Sequence, residues 1–259
     1  MKKVILYLIT ASMICCNYSC DKEVTTNDKS AKEVTTDDKS AKELCAKLER
    51  AFQSSSTSDL DQFFTDWNIS VSSNTGSIGQ NDTIKTIYDV YREFYSPLDL
   101  TKLGDWEWGN NLNSNSKYVA VQNKIYYAVV EKELFDSWFN IENLDSISDF
   151  RPQLNLEKSK ILYLLPEYKE ALNLFIGTVA SENTQARYEF VRPYIPILYA
   201  HEGGRWYLAT HPEVSRILLT PNKTVAKLFF RVGFQGGEAT LEKKNNIWII
   251  TESRATWIE

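Results

Sequence analysis

Histidine is nearly absent from this chain: His201 and His211 are the two in 259 residues. Most histidine metal centres need more ligands than that. Cysteine is also sparse, and three of the four (Cys15, Cys16, Cys20, Cys45) fall within the first twenty positions. Glycine (10) and proline (7) are too few for a collagen or a low-complexity chain. Basic residues do not predominate: 29 Lys and Arg against 34 Asp and Glu give a formal charge of -5, without the basic excess that phosphate-backbone binding uses, so no nucleic-acid partner is expected. No apolar run reaches the roughly 20 residues of a membrane-spanning helix. Neither G-x-S-x-G, a Walker A loop nor G-x-G-x-x-G occurs. What is plentiful is bulk: 43% apolar residues, with 7 Trp, 14 Tyr and 12 Phe, enough for a sizeable core.

The N-terminus reads as an address. Lys2 and Lys3 precede an apolar stretch from Val4 to Ile14, interrupted by Thr10 and Ser12, and then a cysteine-rich boundary. Residues 1–19 therefore have the order of a signal peptide, basic start, short apolar centre, small residues at the end. Ser19-Cys20 resembles the lipobox of bacterial lipoproteins, which implies that Cys20 is acylated and becomes the new N-terminus. Asn17 departs from that pattern, so cleavage without acylation is the alternative. Asp21-Lys22-Glu23 resembles the acidic export signal of Bacteroidota surface lipoproteins and implies the outer membrane, periplasmic or surface-facing, whereas the enterobacterial rule would read Asp21 as retention at the inner membrane. Loss of Lys2 and Lys3 would take the formal charge to about -7 and leave Cys45 as the one free thiol.

Residues 22–31 recur at 32–41 with one change, Asn27 to Asp37, and Lys42-Glu43 starts a third copy. Val24 and Val34 are the only larger apolar residues in this repeat, too few to bury a face, so residues 20–42 read as a solvated, lipid-anchored tether. A neutral duplication is the equal alternative to a spacing role.

Residues 43–259 carry the folded domain. Leu44, Leu48, Ala51 and Phe52 recur at helical spacing, as do Leu60, Phe63, Phe64 and Trp67 behind Ser58 as cap. Ile84, Ile87, Tyr88, Tyr91 and Phe94 predict a third helix, stopped by Pro97. Lys117 to Val130 predicts a strand or hairpin, and Pro166 to Gly177 a helix opened by proline and closed by glycine. From Tyr194 onward, apolar runs separated by Gly203-Gly204, Pro221-Asn222, Gly236-Gly237 and Asn245-Asn246 predict an antiparallel meander. Within it, Ala226, Leu228, Phe230, Val232 and Phe234 share one apolar face, opposite Lys227, Phe229 and Arg231. Helices first and a curved antiparallel sheet last is an α+β arrangement.

The stretch from Val225 to Trp248, with Trp257-Ile258-Glu259 at the end, resembles the last strands of NTF2-like (cystatin-like α+β) domains, most strongly over residues 187–259. That resemblance implies helices packed on a curved antiparallel sheet, with insertions, and a pocket in the cone between them. Phe150-Arg151-Pro152, Leu162 to Tyr168 and Tyr194 to Ile197 further resemble uncharacterised Bacteroidota lipoproteins. Leu165 to Tyr168 with Gly203-Gly204 resembles the SUKH immunity superfamily, which implies an immunity-type role as one alternative.

For chemistry, His201-Glu202-Gly203-Gly204-Arg205 opens like the zincin HExxH but has Arg205 in place of the second ligand, so it predicts a hairpin turn. His201, His211 and Glu213 lack a third nitrogen or thiolate nearby, so no metal and no cofactor is expected. The residues expected to line an NTF2-like pocket are Arg192, Tyr194, Trp206, His211, Arg231 and Glu238, with Arg231 and Glu238 facing each other across a turn. Trp106 and Trp108 form an aromatic loop suited to a glycan or peptide, or anchored in the fold. The leading expectation is a non-enzymatic, lipid-anchored envelope binding or accessory protein for a glycan, peptide or small molecule. An enzyme using His211 or Glu238 for acid-base chemistry is the other alternative.

Overall fold

The face formed by Ala41, Leu44, Cys45, Leu48 and Ala51 is buried, and it makes one helix, α1 (Thr36–Gln53), of what the sequence divides into tether and domain. The computed structural model describes residues 36–72, 81–104, 116–141, 143–156, 160–177, 182–199, 206–208 and 210–258. Residues 1–35, where the sequence predicts a signal peptide, the acylated Cys20 and the first repeat, lie outside them. The second repeat does not end as a solvated coil, because residues 36–42 form the first turns of α1 and Ala41 enters the core.

A short turn leads to α2 (Thr57–Ser72). Its cap is Ser56 rather than Ser58: the Ser56 hydroxyl accepts from the Asp59 amide at 3.1 Å. Leu60, Phe63, Phe64 and Trp67 are all buried. The Trp67 indole N–H donates to the Tyr163 carbonyl at 2.9 Å, and its ring stacks on Tyr168 at 4.7 Å. Helix α3 (Asp82–Phe94) is capped by Asn81, whose side chain accepts from the Thr83 amide. Helix α4 (Pro166–Ile176) starts on proline and ends at Gly177 with φ +83°, as its sequence predicts. The short α5 (Glu182–Val191) has little amphipathic character and is tied down by Arg187, which donates to the Phe175 carbonyl at 2.7 Å and pairs with Glu49 of α1 at 2.9 Å.

The strands are β1 (Tyr118–Val121), β2 (Ile125–Val129), β3 (Asp145–Ile147), β4 (Lys160–Tyr163), β5 (Leu198–Tyr199), β6 (Trp206–Tyr207), β7 (Glu213–Leu219), β8 (Val225–Val232), β9 (Gln235–Lys244) and β10 (Ile247–Ile258). Six of them form one sheet in the order β10-β9-β8-β7-β2-β3. The protein is thus α+β, with N-terminal helices packed against a mixed, largely antiparallel sheet. It is not the wholly antiparallel sheet the sequence suggests, since β2 joins β7 in parallel (Tyr127 opposite Ile217). Nor do β1 and β2 make a hairpin, for β1 pairs in parallel with β4 (Ala120 opposite Leu162).

Turn chemistry explains the C-terminal meander in detail. Asn245 and Asn246, with φ of +51° and +65°, make the two-residue turn between β9 and β10. The β8–β9 turn is Gly233-Phe234, with Gly233 at φ +56°. Gly236 and Gly237 are inside β9, opposite Arg231 and Phe230. On β8, Ala226, Leu228, Phe230 and Val232 join the main core, where Phe94 of α3 meets Phe230 at 4.9 Å. Phe234 leaves that face for the turn. The other face is covered by a 3-10 segment, Lys132–Asn140, whose Phe135 shares a small apolar cluster with Ala128, Leu218 and Phe229.

Candidate functional site

The residues that the sequence proposes for one pocket are divided among four places. Tyr194, just after α5, is buried in the helical core, stacked on Phe64 at 4.8 Å with the Lys117 ammonium 5.0 Å over its ring. Its phenol is hydrogen-bonded to the Asp61 carboxylate, and burial first, then that carboxylate, push it up to about 12. Arg192 is exposed and pairs with Glu189 at 3.1 Å. Its guanidinium sits 5.9 Å from the Tyr188 ring, and Tyr188 stacks on Trp206 at 4.1 Å, so Arg192 and Trp206 share a column that Tyr188 completes. The sequence reading missed Tyr188, whose helix carries no clear apolar face to mark it.

His211 is 2% exposed and sits beneath the β8–β9 turn, its Nδ1 accepting from the Gly233 amide at 3.3 Å. Burial lowers its pKa to about 3, helped by the nearby Arg231 charge, so the ring is neutral. It precedes a cis peptide bond to Pro212.

Glu238 belongs to a separate ionic cluster. The strand register sets Arg231 opposite Gly236 and Glu238 opposite Phe229, so the two do not face each other across the turn. Glu238 instead accepts from Arg254 Nε at 2.8 Å and pairs with Lys227 at 3.1 Å. Lys227 also pairs with Asp136 at 2.7 Å, clamping the 3-10 segment to the sheet. The two acid-base candidates, His211 and Glu238, therefore have different partners. Trp106, Trp108 and His201 lie outside the described residues. Among the described residues, no group of three or more His, Cys, Asp or Glu side chains is placed to hold a metal ion, and no helix is long and apolar enough to cross a membrane.

A cavity of a different kind lies between the first two helices. Lys47 and Arg50, one turn apart on α1, face Asp59, Gln62 and Asp66 on α2 across a groove of about 380 Å³ whose apolar lining is Phe63. Lys47 reaches Asp66 at 3.7 Å, and the Gln62 amide donates to the same carboxylate at 2.7 Å. The volume is in the range of small-molecule sites. Both walls are exposed to water, so the partners can exchange for a ligand at little desolvation cost. The signal was present in the sequence as polar residues three or four apart, Lys47 and Arg50 on one helix and Asp59, Gln62 and Asp66 on the next, which is also the pattern of any solvated helical face. Comparison with protein-family models, with curated proteins and with solved structures returned no match.

Proposed function

We propose that this chain is a lipid-anchored binding protein of the bacterial cell envelope, and that its ligand is a small molecule or peptide carrying both charges, taken up in the groove between α1 and α2. The groove itself carries the reading: cations on one wall, carboxylates and an amide on the other, and an aromatic edge between them. A ligand carboxylate would meet Lys47 and Arg50, and a ligand ammonium Asp59 and Asp66. The distribution of titratable groups supports binding over acid-base catalysis, because His211 is enclosed and Glu238 is held by two cations. The fold is proposed as a variant of the NTF2-like plan, on the strength of the helices packed against one face of β8 and its neighbours, with the parallel β2 as an addition. The anchor rests on Ser19-Cys20, and outer-membrane placement on the acidic residues that follow.

Two experiments test this. A panel of amino acids, short peptides and glycans, followed by calorimetry, should give binding that falls at least about tenfold in Lys47→Ala and in Asp66→Asn, a loss of one charged contact each. Binding undiminished in both variants places the ligand elsewhere. Separately, Cys20→Ala should abolish lipid incorporation and leave the precursor uncleaved; normal maturation of that variant rules out the anchor.

A further inference from the structure

The six-stranded sheet ends at β10, which among the described residues pairs with β9 alone. β10 is 12 residues long, so its other edge offers a long row of backbone donors and acceptors. Natural edge strands are commonly kept apart by charges, especially lysine, by prolines, by β-bulges or by shortness. Of these, β10 has one residue of each charge and two bulges that leave a regular stretch between them. β10 contains neither lysine nor proline. Thr251, Glu252, Arg254, Ala255 and Thr256 are exposed, and Ile247 and Ile249 are 62% and 43% exposed at its start.

The charges on this edge specify a partner. Glu252 and Arg254 lie opposite Thr240 and Glu238 of β9, which puts both on the same sheet face, one on either side of Ser253. In an antiparallel pair of two identical strands related by a two-fold axis at Ser253, Glu252 of each copy stands opposite Arg254 of the other, and Thr251 stands opposite Ala255. An axis at Glu252 or at Arg254 would set like charges against each other, which antiparallel pairs disfavour. Arg254 already gives Nε–H and an Nη2–H to Glu238 on its β9 side. A guanidinium has five N–H donors, so it can serve a second carboxylate on its open side. The ladder irregularities between Ile250 and Glu252 and between Ala255 and Trp257 bracket the stretch that holds the axis.

We propose that this chain associates with a second copy of itself through antiparallel β10–β10 pairing centred on Ser253, joining the two large sheets into one. The interface is isologous, so its self-complementary charges are what a closed dimer requires.

The test uses the full chain in detergent, with sedimentation velocity across a concentration series and hydrogen exchange at the amides of residues 251–255. The expected result is a monomer–dimer equilibrium in which those amides gain protection as dimer forms. Glu252→Arg should weaken association at least about tenfold, since two attractive pairs become two repulsive ones. Arg254→Glu should do the same, and an equimolar mixture of the two variants should restore a dimer, because every facing pair is then of opposite sign. Should Arg254→Glu fail to fold, the Glu252→Arg result with the exchange data decides. A monomer at all concentrations, a dimer indifferent to Glu252→Arg, or β10 protection gained only on adding an extended peptide would overturn the proposal.

Discussion

At the scale of single residues, the interior contains polar side chains that stand in for backbone. Gln122 is buried between β1 and β2, and its amide exchanges two hydrogen bonds with Val214, Nε2 to the carbonyl and Oε1 from the N–H, both at 2.8 Å. Gln122→Leu would keep the volume but leave a buried donor and acceptor without partners. The expected cost is about 2 to 4 kcal/mol, read as a lowered urea midpoint at unchanged m-value. His211 gives a pH prediction of definite sign. Its folded pKa of about 3 lies below the usual value near 6.5, so the unfolded chain binds the proton more readily. The contribution is whole above pH 6.5 and is lost progressively as pH falls toward 3, at up to about 1.4 kcal/mol per pH unit. Urea titrations at pH 7, 5.5 and 4.5 should show this slope in the native chain and a flatter one in His211→Gln. Neither role is visible in the sequence. A lone Gln and a lone His have no local pattern, and their partners, Val214 and Gly233, are brought to them by sheet pairing.

At the scale of elements, periodicity was a good guide to helices and a poor guide to where they begin. The apolar positions that spacing picks out in α1, α2, α3 and α4 are buried, or for Phe52 and Ile84 partly buried against the core, because a helix buries residues that recur every three or four positions. The helical spacing is legible only from Leu44 onward, whereas α1 begins at Thr36, since a polar repeat carrying one small apolar residue, Ala41, shows no amphipathic stripe until it is packed. A chain beginning at residue 43 should consequently be less stable than one beginning at residue 36. We expect a difference on the order of 1 to 2 kcal/mol, or about 3 to 6 °C in Tm, checked by thermal unfolding of the two fragments. Strands were legible by composition but not by partner. Tyr and Val between Lys117 and Val130 signal extended chain, yet whether β1 turns back on β2 or joins β4 is decided by where each buries its side chains. β1 is buried at all four positions and so needs cover on both faces.

At the scale of the whole molecule, the aromatic abundance becomes an alkaline sensitivity. Tyr163 and Tyr194 are pushed up to about 12, mainly by burial, and Tyr91 and Tyr95 are raised as well. Raised phenol pKa values mean that the fold holds the neutral form, so this contribution is intact below pH 10 and is lost as pH rises through about 12. Spectrophotometric titration should show these phenols ionising late and together with loss of near-UV circular dichroism, rather than one by one. By itself the sequence determined the α+β class and the apolar faces of four helices and of β8. These follow from local chemistry: helical and strand periods and turn residues. Only the tertiary structure decided that β2 enters the sheet in parallel, that Glu238 belongs to Lys227 and Arg254, that His211 is enclosed, and that two charged helix faces oppose each other across a groove. Those outcomes depend on which distant segments bury one another, and a preference shared among many near-equal partners is resolved by the packing of the whole core, not by any one stretch of chain.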